Sequence, residues 1–137
     1  MKFPKLSWLI VILVFLDQIT KVFFIGKNIV IFEYFSFNYV TNTGVSFGLF
    51  KGYNLFFIFM TLIVIIFILS LYDKDKKYQM SFNFILAGAI GNLFDRVFRG
   101  YVIDFIDLKF WPVFNLADTF IIIGVVLFLY YLWKENK

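Results

Sequence analysis

From Asn54 to Tyr72 the chain runs without a charged side chain, as a block of Phe, Ile, Leu and Val. A run of about 20 apolar residues is long enough to cross a bilayer as one helix. The remainder offers little with which to cover it. Of 137 residues, 62% are hydrophobic, 24% aromatic and only 16% charged, and the mean hydropathy is +0.87. A soluble domain is nearer half apolar and a quarter charged, so this chain is read as a membrane protein. Four spans of about 20 residues would consume more than half of it, which leaves room for one compact domain over 1–137.

Three other stretches complete the expected spans: about 6–25, 80–98 and 113–133, beside 54–72. The first has the look of a signal-peptide core, but no small-x-small site follows it, and it is read as a retained span. The third is the least apolar, stopping at Asp95-Arg96, so it needs helical neighbours to shield it. Lysines set the orientation. Lys2, Lys5, Lys74, Lys76, Lys77, Lys134 and Lys137 crowd the tails and the 73–79 loop, which places both termini in the cytoplasm. That distribution also accounts for the net charge of +4 without invoking nucleic acid.

Between the first two spans, about 26–52, the sequence NIVIFEYFSFNYV is aromatic and β-branched with approximate alternation around Glu33, Ser36 and Asn38. It predicts short strands at the outer membrane interface. Gly44 and Gly48 then permit turns in TNTGVSFGLF. The expected fold is an all-α membrane protein, a four-transmembrane-helix bundle with a small extracytoplasmic β-cradle, and residues 97–112 form a second outer loop.

The chain has neither Cys nor His. Thiol or Ser–His nucleophiles, thiolate or imidazole metal sites, haem attachment and disulfides are thereby excluded. Chemistry must run on Asp, Glu, Lys, Arg, Tyr or hydroxyl groups. Asp17, Asn92, Asp95, Arg96, Asp104 and Asp118 all fall within or at the outer edge of predicted spans, where a charge costs a few kcal/mol or more and a functional reading is the default. On one helix Gly88, Asn92, Asp95, Arg96 and Arg99 occupy about 100° of arc, a polar stripe along span three. Ala87 and Gly91 form a small-xxx-small pair for close helix approach. Asp95 is expected to pair with the adjacent Arg96, as scaffold. Asp17 and Lys21 read either as an interfacial ion pair with a snorkelling lysine or as a site-shaping pair.

Asp104 and Asp118 differ, since neither has a basic residue at helical pairing distance. Asp104 lies in the apolar run Tyr101-Val102-Ile103-Asp104-Phe105-Ile106, where desolvation raises its pKa. Asn115 is placed to cap span four, with Asp118 in the first turn, where the helix dipole favours a carboxylate. Two such acids brought together share a proton and activate water, as an aspartyl dyad does. The alternatives at this point are helix capping for Asp118 and a loop ion pair with Arg99 or Lys109 for Asp104.

The motifs as a set resemble the lipoprotein signal peptidase family, signal peptidase II. They are Asp17-Gln18-Ile19-Thr20-Lys21, Asn42-Thr43-Gly44 with Ser46-Phe47, Gly88 to Arg96, Val102-Ile103-Asp104-Phe105 and Phe114-Asn115-Leu116-Ala117-Asp118, in the family's order across the whole chain. Val45-Ser46-Phe47-Gly48 and Thr119 depart mildly from the usual pattern. The resemblance implies that Asp104 and Asp118 are the catalytic pair of an aspartic endopeptidase. Asp17, Lys21, Asn42, Gly44, Asn92, Asp95, Arg96 and Asn115 would support the site or bind substrate. The implied substrate is a diacylglyceryl-modified bacterial prolipoprotein, cut before its lipidated cysteine, with no metal and no cofactor. The expected setting is the bacterial cytoplasmic membrane, the site near its outer face, membrane lipids around a monomer, and no nucleic-acid partner. The competing class is a small proton-coupled transporter or channel subunit using its carboxylates as a relay.

Overall fold

The computed structural model describes residues 8–44, 53–72 and 74–137. The expectations placed on Lys2, Lys5 and the stretch from Val45 through Gly52 lie outside them. Among the described residues four long helices and three strands follow in the order α1 (Trp8–Phe24), β1 (Asn28–Phe32), β2 (Phe35–Asn42), α2 (Asn54–Leu71), α3 (Gln79–Phe98), β3 (Val102–Asp107) and α4 (Leu116–Glu135), with a 3₁₀ turn at Lys76–Tyr78 ahead of α3.

The helices are inside-out by the standards of a soluble protein. On α1 the buried residues are Ile10, Leu13, Asp17 and Lys21, one stripe at helical spacing, whereas Val11, Phe15, Ile19, Val22 and Phe23 are exposed. An apolar exterior around a partly charged interior is the pattern a lipid solvent rewards. Helix α2 is apolar on every side and buries only Ile68. By length and composition α2 and α4 are apolar enough to cross a bilayer. Helix α3 packs against α1, α2 and α4 and buries half its residues, Asn83, Asn92 and Asp95 among them. That central place is the shield its polar sequence requires.

Contact between α3 and α4 is backbone-close. A Cβ added at Gly88 would lie 2.2 Å from the carbonyl oxygen of Ala117, so no side chain fits there. Elsewhere Ile10, Leu13, Ile68, Tyr72, Phe82, Leu86, Ala87 and Phe120 form the apolar core that joins the four helices.

The strands form one antiparallel sheet in the order β1-β2-β3. Its third member corrects the sequence reading, which makes 97–112 a loop. Val102–Asp107 pairs with β2 in the register Asn42 with Val102 and Val40 with Asp104, and Phe114 closes its far edge through a bridge to Ile106. Hydrophobic alternation is absent there because the strand is buried on both faces: Val102, Ile103, Asp104 and Phe105 are all buried. Phe105 stacks on Phe24 of α1 at 4.6 Å between ring centroids, and Phe37 of β2 stacks on the same ring at 4.5 Å. Asp104, the neighbouring residue along a pleated strand, turns the other way, toward α4. The fold is helix-rich with a three-stranded sheet that draws on two distant parts of the chain, and α4 begins at Leu116 rather than at 113.

Candidate active site

Asn115 has extended backbone, φ −132° and ψ −177°, and its side-chain oxygen accepts the N–H of Asp118 at 3.0 Å. The carboxylate of Asp118 returns the bond by accepting the N–H of Asn115 at 3.2 Å. This reciprocal cap places Asp118 in the first turn of α4, as the Asn-x-x-Asp spacing predicts. The other end of the same amide donates to Asp104 Oδ1 at 2.7 Å and to the carbonyl of Ile103 at 3.2 Å. One asparagine therefore touches both acids.

The second donors come from elsewhere. Asn42, at the end of β2, donates to Asp104 Oδ2 at 3.0 Å, and Asn92 on α3 donates to Asp118 Oδ1 at 2.8 Å. Gly44 folds back on this group, its N–H donating to Asn42 Oδ1 at 3.0 Å. Asp104 and Asp118 line a cavity of about 230 Å³ with Asn42, Gly44, Phe57, Asn92, Arg96 and Val102. They are the two carboxylates among its described lining residues. Among the described residues neither forms an ion pair: Lys109 pairs with Asp107 at 2.7 Å, and Arg99 pairs with Asp95. The loop ion pair that the sequence leaves open for Asp104 is absent for that reason.

Asp104 is 3% exposed. Its pKa is pushed up from 3.8 to about 7, first by desolvation and then by the charge of Asp118, against the lowering effect of the two asparagine donors. It holds a proton near neutral pH.

The supporting charges are arranged differently from the sequence expectation. Asp95 does not pair with Arg96. Consecutive helical residues point about 100° apart, so Asp95 reaches Arg99 one turn on, and Lys21 of α1 at 3.0 Å. Arg96 lies 5.4 Å from the Phe57 ring centre and donates to the carbonyl of Gly44 at 3.4 Å. Asp17 and Lys21 pair at 2.8 Å, but neither has any exposed side-chain surface, which overturns the interfacial, snorkelling alternative. Asp17 instead accepts the N–H of Ala117 at 2.9 Å.

Gln18 is a site residue that sequence reasoning missed. It donates to Asp17, Asp95 and the carbonyl of Gly91, each at 3.1 Å, and accepts from Arg99 at 2.8 Å. The signal was present, since a glutamine inside an apolar span needs partners as much as an aspartate does.

Fold and site together define a helical membrane protein with two carboxylates, unpaired among the described residues, gathered at one end of its bundle, an arrangement suited to acid–base chemistry. Residues 9–134 match the model of the signal peptidase (SPase) II family. A lipoprotein signal peptidase of Halothermothrix orenii is 40% identical over 93% of this chain and 94% of its own length. The corresponding protein of Caldicellulosiruptor bescii is 43% identical over 94% of this chain and 91% of its own. Two solved bacterial membrane enzymes superpose with TM-scores of 0.87 at 29% identity, covering 100% of this chain and 95% of that one, and 0.80 at 32% identity, covering 91% and 90%. The chain belongs to the signal peptidase II family. It is a bacterial membrane peptidase, and nothing in these matches supports the transporter or channel reading.

Proposed function

We propose that the chain removes the signal peptide from diacylglyceryl-modified prolipoproteins by cutting before the lipidated cysteine, with Asp104 and Asp118 as the catalytic pair. The observation that carries the mechanism is that the cavity's two carboxylates form no ion pair among the described residues and differ in environment: Asp104 buried and raised to about 7, Asp118 at a helix N-terminus under two N–H donors. One proton on such a pair is the working state of an aspartic peptidase.

In this reading Asp118, ionised, takes a proton from water as the water oxygen attacks the scissile carbonyl carbon. Asp104, protonated, donates a hydrogen bond to the carbonyl oxygen and its proton then goes to the leaving nitrogen as the C–N bond breaks. The pair gains one proton and releases one, so it ends with the proton on Asp118, from which it returns to Asp104. Asn42, Asn92 and Asn115 hold the two acids in place throughout.

All four helices are read as spans. The apolar exteriors of α1, α2 and α4 support this, and α3 is shielded by the other three. The bundle end with Lys74, Lys76, Lys77 and Lys134 is the cytoplasmic one by charge, so the sheet and cavity lie toward the outer surface, where a lipidated substrate enters sideways from the bilayer as a single enzyme copy meets it.

The test is incubation of the purified protein with a diacylglyceryl-modified precursor and with the same precursor unmodified. Cleavage of the first alone is expected, and Asp104→Asn and Asp118→Asn should each abolish it. Turnover above about a tenth of wild type in Asp118→Asn, a loss below about 1.4 kcal/mol, would overturn the catalytic assignment.

A further inference from the structure

Lys21 has no exposed surface, and its ammonium meets three acceptors: Asp17 Oδ2 at 2.8 Å, Asp95 Oδ2 at 3.0 Å and Asn92 Oδ1 at 3.0 Å. An ammonium has three N–H bonds and accepts none, so its capacity is filled. Each acceptor leads on to one part of the carboxylate pair. Asp17 accepts the N–H of Ala117, the residue before Asp118, at 2.9 Å. Asp95 accepts the N–H of Ile103, the residue before Asp104, at 3.1 Å. Asn92 donates to Asp118 itself at 2.8 Å.

We propose that Lys21 is a positioning residue for catalysis: a three-way tie that holds β3 and the start of α4 in register with each other and dictates which end of the Asn92 amide faces Asp118. The inference rests on the reading of Asp104 and Asp118 as the catalytic pair. The two ends of a carboxamide are nearly alike in shape, so packing alone does not choose between them. A buried cation chooses, because it binds the oxygen and leaves Nδ2 for the carboxylate. Asn115 acts in the same sense, donating to Asn92 Oδ1 at 3.1 Å. The groups facing Lys21 are Asp17 on its own helix, Asp95 and Asn92 on α3 and, through its charge, Asp104 on β3, with Gln18 and Arg99 linked behind them. Those facing Asp118 are Asn92 on α3 and its cap Asn115, with the charges of Asp104 on β3 and Arg96 on α3 nearby.

Removing Lys21 alone strands two buried carboxylates, so the test pairs Lys21→Met with the double variant Lys21→Met/Asp17→Asn. In the double variant the carboxamide oxygen introduced at position 17 still accepts from Ala117, and Asp95 keeps Arg99. Thermal unfolding in detergent should show the double variant folded. Its kcat on the lipidated precursor should fall about 100-fold with KM little changed, the size of effect seen when one fixed donor is removed from a reacting site. A limb of its pH profile should also move, since the coupled pair loses an assured hydrogen-bond donor. A folded double variant with wild-type kcat and an unmoved limb overturns the proposal. So does failure of both variants to fold, which would make Lys21 a determinant of the fold alone. Loss of activity in Asp104→Asn beside a normal double variant would sink this inference and spare the catalytic pair, whereas an active Asp104→Asn would sink the pair itself.

Discussion

Asn115 donates to Asp104 across 2.7 Å while capping the helix that carries Asp118. One side chain therefore joins the two acids, and the cap that starts α4 also delivers a donor to Asp104. Asn115→Ala removes the cap, at about 1 kcal/mol, together with a donor to Asp104. The expected result is a modest fall in unfolding temperature and a fall in kcat of about 100-fold or more. Asn115→Asp keeps the cap, because an aspartate caps nearly as well, but places a third buried acid beside Asp104 and the carbonyl of Ile103. It should unfold below wild type and be inactive. Wild-type turnover in Asn115→Asp would show that the bridge to Asp104 has no part in catalysis.

The raised pKa of Asp104 carries a stability cost whose sign is fixed by linkage. The unfolded chain releases this proton near 3.8 and the folded chain near 7, so between those values the folded state binds more protons. Stability must then fall as pH rises through that window, by about 4 kcal/mol if the whole shift is expressed. Asp104→Asn removes the dependence. Thermal unfolding at pH 4 and pH 8 should show the variant gaining on wild type at the higher pH, the reverse of what losing a stabilising contact would do. A constant difference between the two proteins would rule out the buried, proton-holding state. The basic limb of wild-type activity should fall in the same region, near 7, as a property of the coupled pair.

Gly88 and Gly91 separate packing from site geometry. A methyl group at Gly88 meets the Ala117 carbonyl at 2.2 Å, and that backbone is held by the α4 cap. Gly88→Ala should force α3 and α4 apart and cost about 3 kcal/mol or more, visible as loss of folded protein. At Gly91 the new atom meets Asp17 Oδ2 at 2.5 Å, the end of a side chain rather than backbone. Gly91→Ala should keep more of the fold but displace Asp17 from Lys21 and Ala117, so that kcat falls further than the unfolding temperature implies. If Gly91→Ala proved the less folded of the two, the ranking of backbone against side-chain neighbours would be wrong.

What the sequence discloses follows the range of the interactions involved. Helices α1 to α4 lie within about three residues of their expected limits, because long apolar runs need no partner to be recognised. The Asn115–Asp118 cap is legible for the same reason: it is a contact between near neighbours in the chain. Strand β3 is not legible. Its pairing partner, Phe35–Asn42, is some 60 residues away, and burial on both faces removes the alternation that marks an ordinary strand. The ion pairs are hidden in a related way. Adjacency in the chain matches Asp95 to Arg96, whereas helical geometry sends it to Arg99 and the fold sends it to Lys21, 74 positions earlier. Motif order singles out residues that the fold gathers at one place, but which of them touch is a property of the assembled bundle.

The orientation of the bundle is a matter for labelling, and the chain is well suited to it because it contains no cysteine. Lys74 is exposed just ahead of α3, and the nearby Lys77 pairs with Glu135 at 3.3 Å, which brings the 74–78 turn and the end of α4 to one end of the molecule. Glu33 is exposed in the turn between β1 and β2, at the sheet. Neither side chain carries a contact that the fold depends on, so single cysteines at 33 and 74 should leave the protein intact. With lysines retained on the cytoplasmic side, a membrane-impermeant maleimide added to intact cells with a permeable outer layer should label Glu33→Cys and reach Lys74→Cys only after lysis. The opposite pattern would turn the protein over in the membrane, place the carboxylate pair near the cytoplasmic surface, and require the lipidated precursor to be cut before its export.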